Sequence, residues 1–339
     1  MRLVTYVIKE DVLNIRSEMY GDARIGWVQD GYVWDIGFAQ EWAMLEKGIP
    51  FSCALPTDMV AFLEMGDQGF TLLRQVIDAC RGTHPDQAKV EGEPVALSLA
   101  EVRLLPPVPR PPSFRDFYAF EQHVKAARAR RGLSMIPEWY HFPVFYFSNH
   151  QTILGHEQPV PRPSGTQCLD YELEVACIIG KKGHNISRES AREYIAGLCI
   201  LNDWSARDIQ LEEMKVGLGP AKGKDFATSL GPWLVTPDEL EDRRNGDHWD
   251  LAMTARVNGV ELSRGNLRDL HFSFAEMIER ASQDVFLYPG DVIGSGTVGT
   301  GCILELGTEV HPWLEPGDMV ELEVERLGVL RNRIVERRD

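Results

Sequence analysis

Residues 106–113 read Pro-Pro-Val-Pro-Arg-Pro-Pro-Ser, and neither a helix nor a central strand can run through them. Proline lacks the backbone donor that both elements need, and its fixed φ favours an extended chain. With five prolines in eight positions, the segment reads as a stiff connector. It divides an N-terminal domain, residues 1–105, from a larger unit, residues 114–339. A chain of 339 residues with 44% apolar content can build one large core and a smaller companion.

Before the connector, RLVTYVIK, ARIGWVQ and GYVWDIG read as strands separated by Gly and Asp turns. Two helices follow: one capped at Thr57-Asp58 and running through Met65, the other with helical apolar spacing over Phe70–Ala79. After the connector the patterns are mostly strand, including VFYFSN, YELEVACIIG, IAGLCILND, LAMTARVNG, GDVIGSG and MVELEVERLG. Helical patterns cover Phe120–Arg131, Arg188–Tyr194, Ser205–Met214 and Phe274–Ala281. Many strands with Gly/Pro turns and scattered helices predict an α+β, β-rich fold with a coiled sheet, not a doubly wound one.

The net charge of −16, from 51 acidic and 35 basic residues, repels nucleic acid and anionic lipid, and no basic block offsets it. None of the six cysteines (Cys53, Cys80, Cys168, Cys177, Cys199, Cys302) forms a C-x-x-C pair, which fits buried reduced thiols of a cytoplasmic protein. The start, MRLVTYVIKED, lacks the apolar stretch of a signal peptide, and no later run approaches membrane-spanning length.

Chemistry concentrates after the connector. In LDYELEVA, residues 169–176, side chains of a strand alternate, so Glu172 and Glu174 share a face about 7 Å apart and can converge on one cation. The ordinary reading is a solvent-facing strand, and ELEV recurs at Glu321–Val324 as an internal control. The first copy runs into Ala-Cys-Ile-Ile and so reads as buried on both faces, where two carboxylates without a cation are costly. In ILNDWSARDIQ an apolar strand ends at Asn202-Asp203; Ser205 then reads as a helix N-cap with Asp208 three residues on. Arg207 and Gln210 share a face of that helix.

LGPAKGKDFATS sets Lys222 and Lys224 in a Gly/Pro loop, but Leu218 and Asp225 stand where a phosphate loop needs glycine and Ser or Thr. No nucleotide site is expected there; one lysine could face a substrate oxyanion. GSGTVG, residues 294–299, matches G-x-G-x-x-G, yet the residues that follow, Thr300–Leu306, read as a strand and not the required helix. No NAD site is expected, and the glycines instead let a ligand approach the backbone. FRDFYAFEQHVKAARARRG, residues 114–132, opens with Asp116 and places His123 seven residues later.

Taken in order, RDFYAFEQH, PVFYFSN, LDYELEVA, NDWSARDIQ, GKDFATSLGPW, GSGT and LEL resemble the fumarylacetoacetate hydrolase family over about residues 105–335. The first hundred residues match only in general pattern. The resemblance implies a mixed β-roll catalytic domain, a smaller N-terminal α+β domain of SH3-like barrel type, and a homodimer. It implies metal ligands at Asp116, Glu172, Glu174 and Asp203, a water-activating His123, and Glu305 as its carboxylate partner. Oxyanion and substrate groups fall on Arg207, Gln210, Lys224, Thr297 and Tyr146, with Gly296 and Thr228 as looser matches. Arg131 falls at the substrate-arginine position across a gap. The segments from GSGT to LEL and from His123 to Tyr146 are short for an animal fumarylacetoacetase, so the substrate is left open.

Four carboxylates and no thiol make a hard site, for Mg²⁺ first and Mn²⁺ or Ca²⁺ next. The leading expectation is a divalent-metal-dependent hydrolase of a C–C bond in a 2,4-dioxo or diketo acid. His123 would activate water, and the cation, Lys224, Arg207 and Gln210 would hold the enolate leaving group. Decarboxylation or tautomerisation of a similar oxo acid at the same metal is the alternative; an NAD-dependent oxidoreductase is remote, and a non-catalytic binding protein is the other class.

Overall fold

The computed structural model describes residues 1–9 and 23–337; the first Gly/Asp turn falls outside them. The frame is a 12-stranded sheet whose path runs through Ala96–Ser98, Tyr32–Asp35, Arg24–Gln29, Arg2–Ile8, Thr228–Val235, Ile195–Asn202, Leu173–Ile179, Val292–Gly294, Phe114–Phe117 and Phe145–Phe147. A second, five-stranded sheet is built from Val160–Pro161, Gly328–Val335, Met319–Val324, Ala252–Val257 and Val260–Asn266. Neighbours in the large sheet are mostly antiparallel, but Val292–Gly294 runs parallel to Phe114–Phe117.

The central strands are covered on both faces, which is why they read as near-continuous apolar runs. On one face Leu173, Val175, Cys177, Ile179 and Ile200 pack with Met253, Ala255, Leu322, Val324 and Leu330 of the second sheet. On the other, Ala176, Ile178, Leu201, Leu230 and Leu234 pack with Trp42, Phe62, Leu72, Leu73 and Val76 of the N-terminal helices. The N-terminal strands belong to the same hydrogen-bonded sheet, since Arg2 pairs with Val235 and Leu3 with Leu234. The proline segment is packed as it crosses: Val108 is fully buried, and Pro107 accepts a 2.7 Å hydrogen bond from the Thr5 hydroxyl.

Three local readings need correction. GYVWDIG is strand only to Asp35, whose carboxylate accepts from Phe38 N and caps a helix over Ile36–Lys47 that ends at a left-handed Gly48. The N-terminal strands curl around Val4, Tyr6, Val33, Leu97 and Val102, but no described ladder closes them into a barrel. Ser205 does not cap its helix; it lies in a two-residue ladder with Asp170, and the helix Arg207–Met214 starts after Ala206. Asp208, the supposed capping-box partner, instead accepts from the Thr166 hydroxyl and Gln167 N.

The helices expected near Met65 and Phe70 are Met59–Glu64, capped by Asp58, and Gly66–Cys80. Glu121–Ala129, the 3-10 turn Ala191–Tyr194 and Phe274–Ser282 stand where helical patterns are read. Among the cysteines Cys53 is exposed and Cys168 intermediate, while the other four are buried. No described helix is long and apolar enough to cross a membrane.

Candidate active site

Strand register gathers the acidic residues at one end of the large sheet. Asp116 lies opposite Gly294 on one side and Tyr146 on the other. Gly294 in turn pairs with Ala176, two residues beyond Glu174, and Glu174 pairs with Leu201, two residues before Asp203. Glu172 stands just ahead of its strand, where its N–H donates to Asn202 Oδ1 at 2.9 Å. All four carboxylates are buried, Glu174 and Asp203 completely.

The quartet is held as two pairs. Lys224, also buried, places Nζ 2.5 Å from Glu172 Oε2 and 2.6 Å from Asp203 Oδ2. Asp203 Oδ2 further accepts from the Tyr146 hydroxyl at 2.5 Å. Glu174 Oε1 accepts from Thr297 Oγ1 at 3.2 Å. Asp116 Oδ1, Glu174 Oε2 and Asp203 Oδ1 are buried oxygens without a hydrogen-bond partner. A Cβ on Gly294 would meet Asp116 Oδ1 at 2.3 Å and Glu174 Oε2 at 3.4 Å, so only glycine leaves the space between these two carboxylates open.

Electrostatics separates the members of the quartet. Burial, and next the Asp203 charge, push Asp116 well above the usual carboxylate range; burial, Asp116 and Glu172 do the same to Glu174. Asp203 is raised by burial despite Lys224. Burial acts on Glu172 in the same sense, but Lys224 and Arg207 outweigh it and hold the group at about 2. Lys224 is raised because Asp203 and Glu172 overcome its own desolvation. Orphaned buried oxygens, all-oxygen donors and like charges forced together are what a hard divalent cation would relieve, so these residues fit one.

A second cluster adjoins the first. His123 Nδ1 lies 2.5 Å from Glu305 Oε1, and Glu305 Oε2 accepts from Thr300 N at 3.0 Å. The Cys302 thiol sits 3.7 Å from the same Glu305 Oε1. Tyr118 packs edge-on to the His123 ring, and burial pushes its phenol up to about 12. Glu305 rides on a single helical turn, Ile303–Leu306, where the apolar run reads as a strand. The two clusters are linked through Asp170, which accepts from Ile303 N of that turn and from Arg207, the guanidinium that also meets Glu172.

Arg207 joins them. Its Nε bonds Asp170 Oδ2 at 2.9 Å and its Nη1 bonds Gln210 Oε1 at 3.2 Å. Nη2 lies 2.8 Å from Asp170 Oδ2 and 2.9 Å from Glu172 Oε1, ion-pair contacts more than aligned hydrogen bonds. Gly296 adopts φ 77°, and a Cβ there would strike Phe117 O at 2.4 Å. Thr228 is buried and donates its N–H to Thr152 O. Arg131 Nε bonds Ala127 O, and its Nη1 contacts Met214 Sδ at 3.8 Å. Lys222 is exposed and pairs with Asp225.

Asp170 is the residue sequence reading passed over. It is completely buried and bonds both Arg207 and the turn that carries Glu305; its spacing of two from Glu172 was the available signal, although the structure sets Leu169–Asp170 in its own short ladder with Ser205–Ala206.

Residues 113–335 match the model of the fumarylacetoacetate (FAA) hydrolase C-terminal family, and the chain belongs to that family. It is 31% identical to the rat mitochondrial oxaloacetate tautomerase Fahd2a over 295 residues, 84% of this chain and 82% of that protein. Against the oxaloacetate tautomerase YisK of Bacillus subtilis it is 29% identical over 290 residues, covering 83% and 87% respectively. In fold it is similar to a maleylpyruvate hydrolase from Sphingobium sp. SYK-6, solved with manganese(II) and pyruvate, with a TM-score of 0.68, 22% identity and full coverage of both chains. The chain therefore belongs to an enzyme superfamily, and proteins similar to it are named as tautomerases, isomerases and hydrolases.

Proposed function

We propose that the protein is a divalent-metal-dependent enzyme of small 2-oxo acids that moves a proton at the carbon beside the oxo group, with oxaloacetate-type keto–enol tautomerisation as the reaction. The carrying observation is the His123–Glu305 pair set beside four buried carboxylates. With Nδ1 engaged by Glu305, the imidazole presents Nε2 as its basic nitrogen. Asp116, Glu172, Glu174 and Asp203 would hold the cation, which supplies Lewis acidity toward the substrate's oxygens when bound.

His123 takes the proton from carbon, and the imidazolium so formed returns one to the product. Arg207, Gln210 and Lys224 face the oxygen on which negative charge develops, in a site from which burial excludes most water. Relatives named as oxaloacetate tautomerases over more than four-fifths of the chain support this choice of reaction.

C–C hydrolysis of a 2,4-dioxo acid is the second reading, favoured by the same base and cation set, since a fixed imidazole can deprotonate water as readily as carbon. One experiment separates them. Protein reconstituted with Mg²⁺ or Mn²⁺ is given enol oxaloacetate, acylpyruvates and fumarylacetoacetate-like diketones, and products are identified by NMR. Faster ketonisation of oxaloacetate without carbon–carbon cleavage supports tautomerisation; release of pyruvate from acylpyruvates supports hydrolysis. His123→Ala should keep metal affinity and lose turnover, and wild-type turnover in that variant would sink both readings.

A further inference from the structure

The four carboxylates and the His123–Glu305 pair come from segments far apart in sequence, and something must hold them in register. Asp170 touches both. Its Oδ1 accepts from Ile303 N at 2.8 Å, and its Oδ2 accepts from Leu304 N at 3.0 Å. Those two N–H groups open the helical turn Ile303–Leu306, which has no side-chain cap of its own and carries Glu305. The same Oδ2 receives Arg207 Nε at 2.9 Å and lies 2.8 Å from Arg207 Nη2. Arg207 in turn reaches Glu172 Oε1 and Gln210.

We infer that Asp170 is a positioning residue that couples the proton-transfer arm to the oxyanion arm: one carboxylate sets the turn that aims Glu305 at His123 and sets the guanidinium that faces the substrate. This rests on the proposed function above. The alternative is that Asp170 only neutralises a buried arginine. A neutralising carboxylate needs no backbone donors, whereas this one accepts two from the turn bearing Glu305. Its backbone is fixed independently of its side chain, because Leu169–Asp170 is laddered to Ser205–Ala206 and Leu314 N donates to Leu169 O. The carboxylate therefore sits on a rigid support, and the turn and the guanidinium are placed with respect to it.

Asp170→Asn keeps the shape but replaces one acceptor oxygen by an NH₂ that faces donors. It should lower kcat about 100-fold with KM changed less than about threefold, the signature of a misplaced catalytic group rather than lost binding. The readout that a merely structural role would not move is a double-mutant cycle: on a His123→Ala background, the part of the Asp170→Asn effect that acts through Glu305 should vanish, leaving a clearly smaller loss that acts through Arg207. Imidazole ¹⁵N NMR gives a second readout, since the His123 Nδ1 resonance should change in Asp170→Asn at unchanged Mn²⁺ affinity.

Full additivity in the cycle, or an unaltered His123 signal, overturns the inference while leaving the proposed reaction standing. Wild-type turnover in His123→Ala would instead overturn the reaction. If Asp170→Asn does not accumulate as folded protein, Asp170→Glu carries the same cycle, because it keeps the charge and displaces it by one methylene.

Discussion

Gly294→Ala asks whether the space between Asp116 and Glu174 is a cation cradle. Gly294 is not at positive φ, so alanine is allowed there by the backbone, and only the added methyl is under test. That methyl would stand 2.3 Å from Asp116 Oδ1 and 3.1 Å from its Cγ, where ordinary contact begins near 3.4 Å. The Asp116 carboxylate must retreat by about 1 Å, several times the roughly 0.2 Å tolerance of a metal–oxygen bond. Losing one charged ligand this way should weaken Mn²⁺ or Mg²⁺ binding at least about 100-fold, about 2.8 kcal/mol.

Alanine is favoured over glycine in a strand by about 0.5–1 kcal/mol, which offsets part of the strain, so the fold should survive. Mn²⁺ titration followed by EPR reads the affinity, and circular dichroism in chelator checks the fold. A folded Gly294→Ala protein with wild-type Mn²⁺ affinity would refute the assignment of Asp116 and Glu174 as a shared site.

The raised Asp116 and Glu174 bind protons more firmly folded than unfolded. In chelator their contribution to stability is complete below the ordinary values of 3.8 and 4.5 and is lost as pH rises through the raised ones. The thermal midpoint of the metal-free protein should therefore fall as pH rises above those ordinary values, with Mg²⁺ restoring more at higher pH; a rising midpoint would contradict the argument. Glu172 works oppositely, and its contribution is lost only as pH drops toward about 2. Lys224→Met strips the ammonium from Glu172 and Asp203 and should cost about 3–5 kcal/mol, about 4–7 °C for a chain of this length, measured by calorimetry in chelator. Deleting residues 1–105 uncovers Ala176, Ile178, Leu201, Leu230 and Leu234, so the remainder should aggregate; a monodisperse folded fragment by light scattering would show that the shared core is dispensable.

The two ELEV copies show what made the site legible in the sequence. At Glu321–Val324 the glutamates are only partly buried and pair with Arg331 and Arg256, the ordinary amphipathic strand. At Glu172–Val175 every residue is buried, as the following Ala-Cys-Ile-Ile implied. Identical residues thus have opposite meanings, and the apolar residues downstream decide which, because burying a carboxylate is tolerable only where something of opposite charge meets it. The β-rich fold was legible by the same logic of alternation and apolar runs.

What escaped sequence reading depended on partners distant in the chain. Thr300–Leu306 has the apolar content of a strand, and short apolar runs do not separate strand from helix by pattern. Here the opening N–H groups of a helical turn are accepted by Asp170, 133 residues earlier. Ser205 looked like a cap because Asp208 stood three residues on, yet Thr166 and Gln167 claim that carboxylate from another loop. Asp170 is visible by spacing, but its partners Ile303, Leu304 and Arg207 are distant in the chain and no local pattern links them to it. A carboxylate can organise a site by accepting from protein donors: Asp170 takes Arg207 Nε and the N–H groups of Ile303 and Leu304, whereas Glu174 Oε2, from the same short acidic run, is buried without a partner.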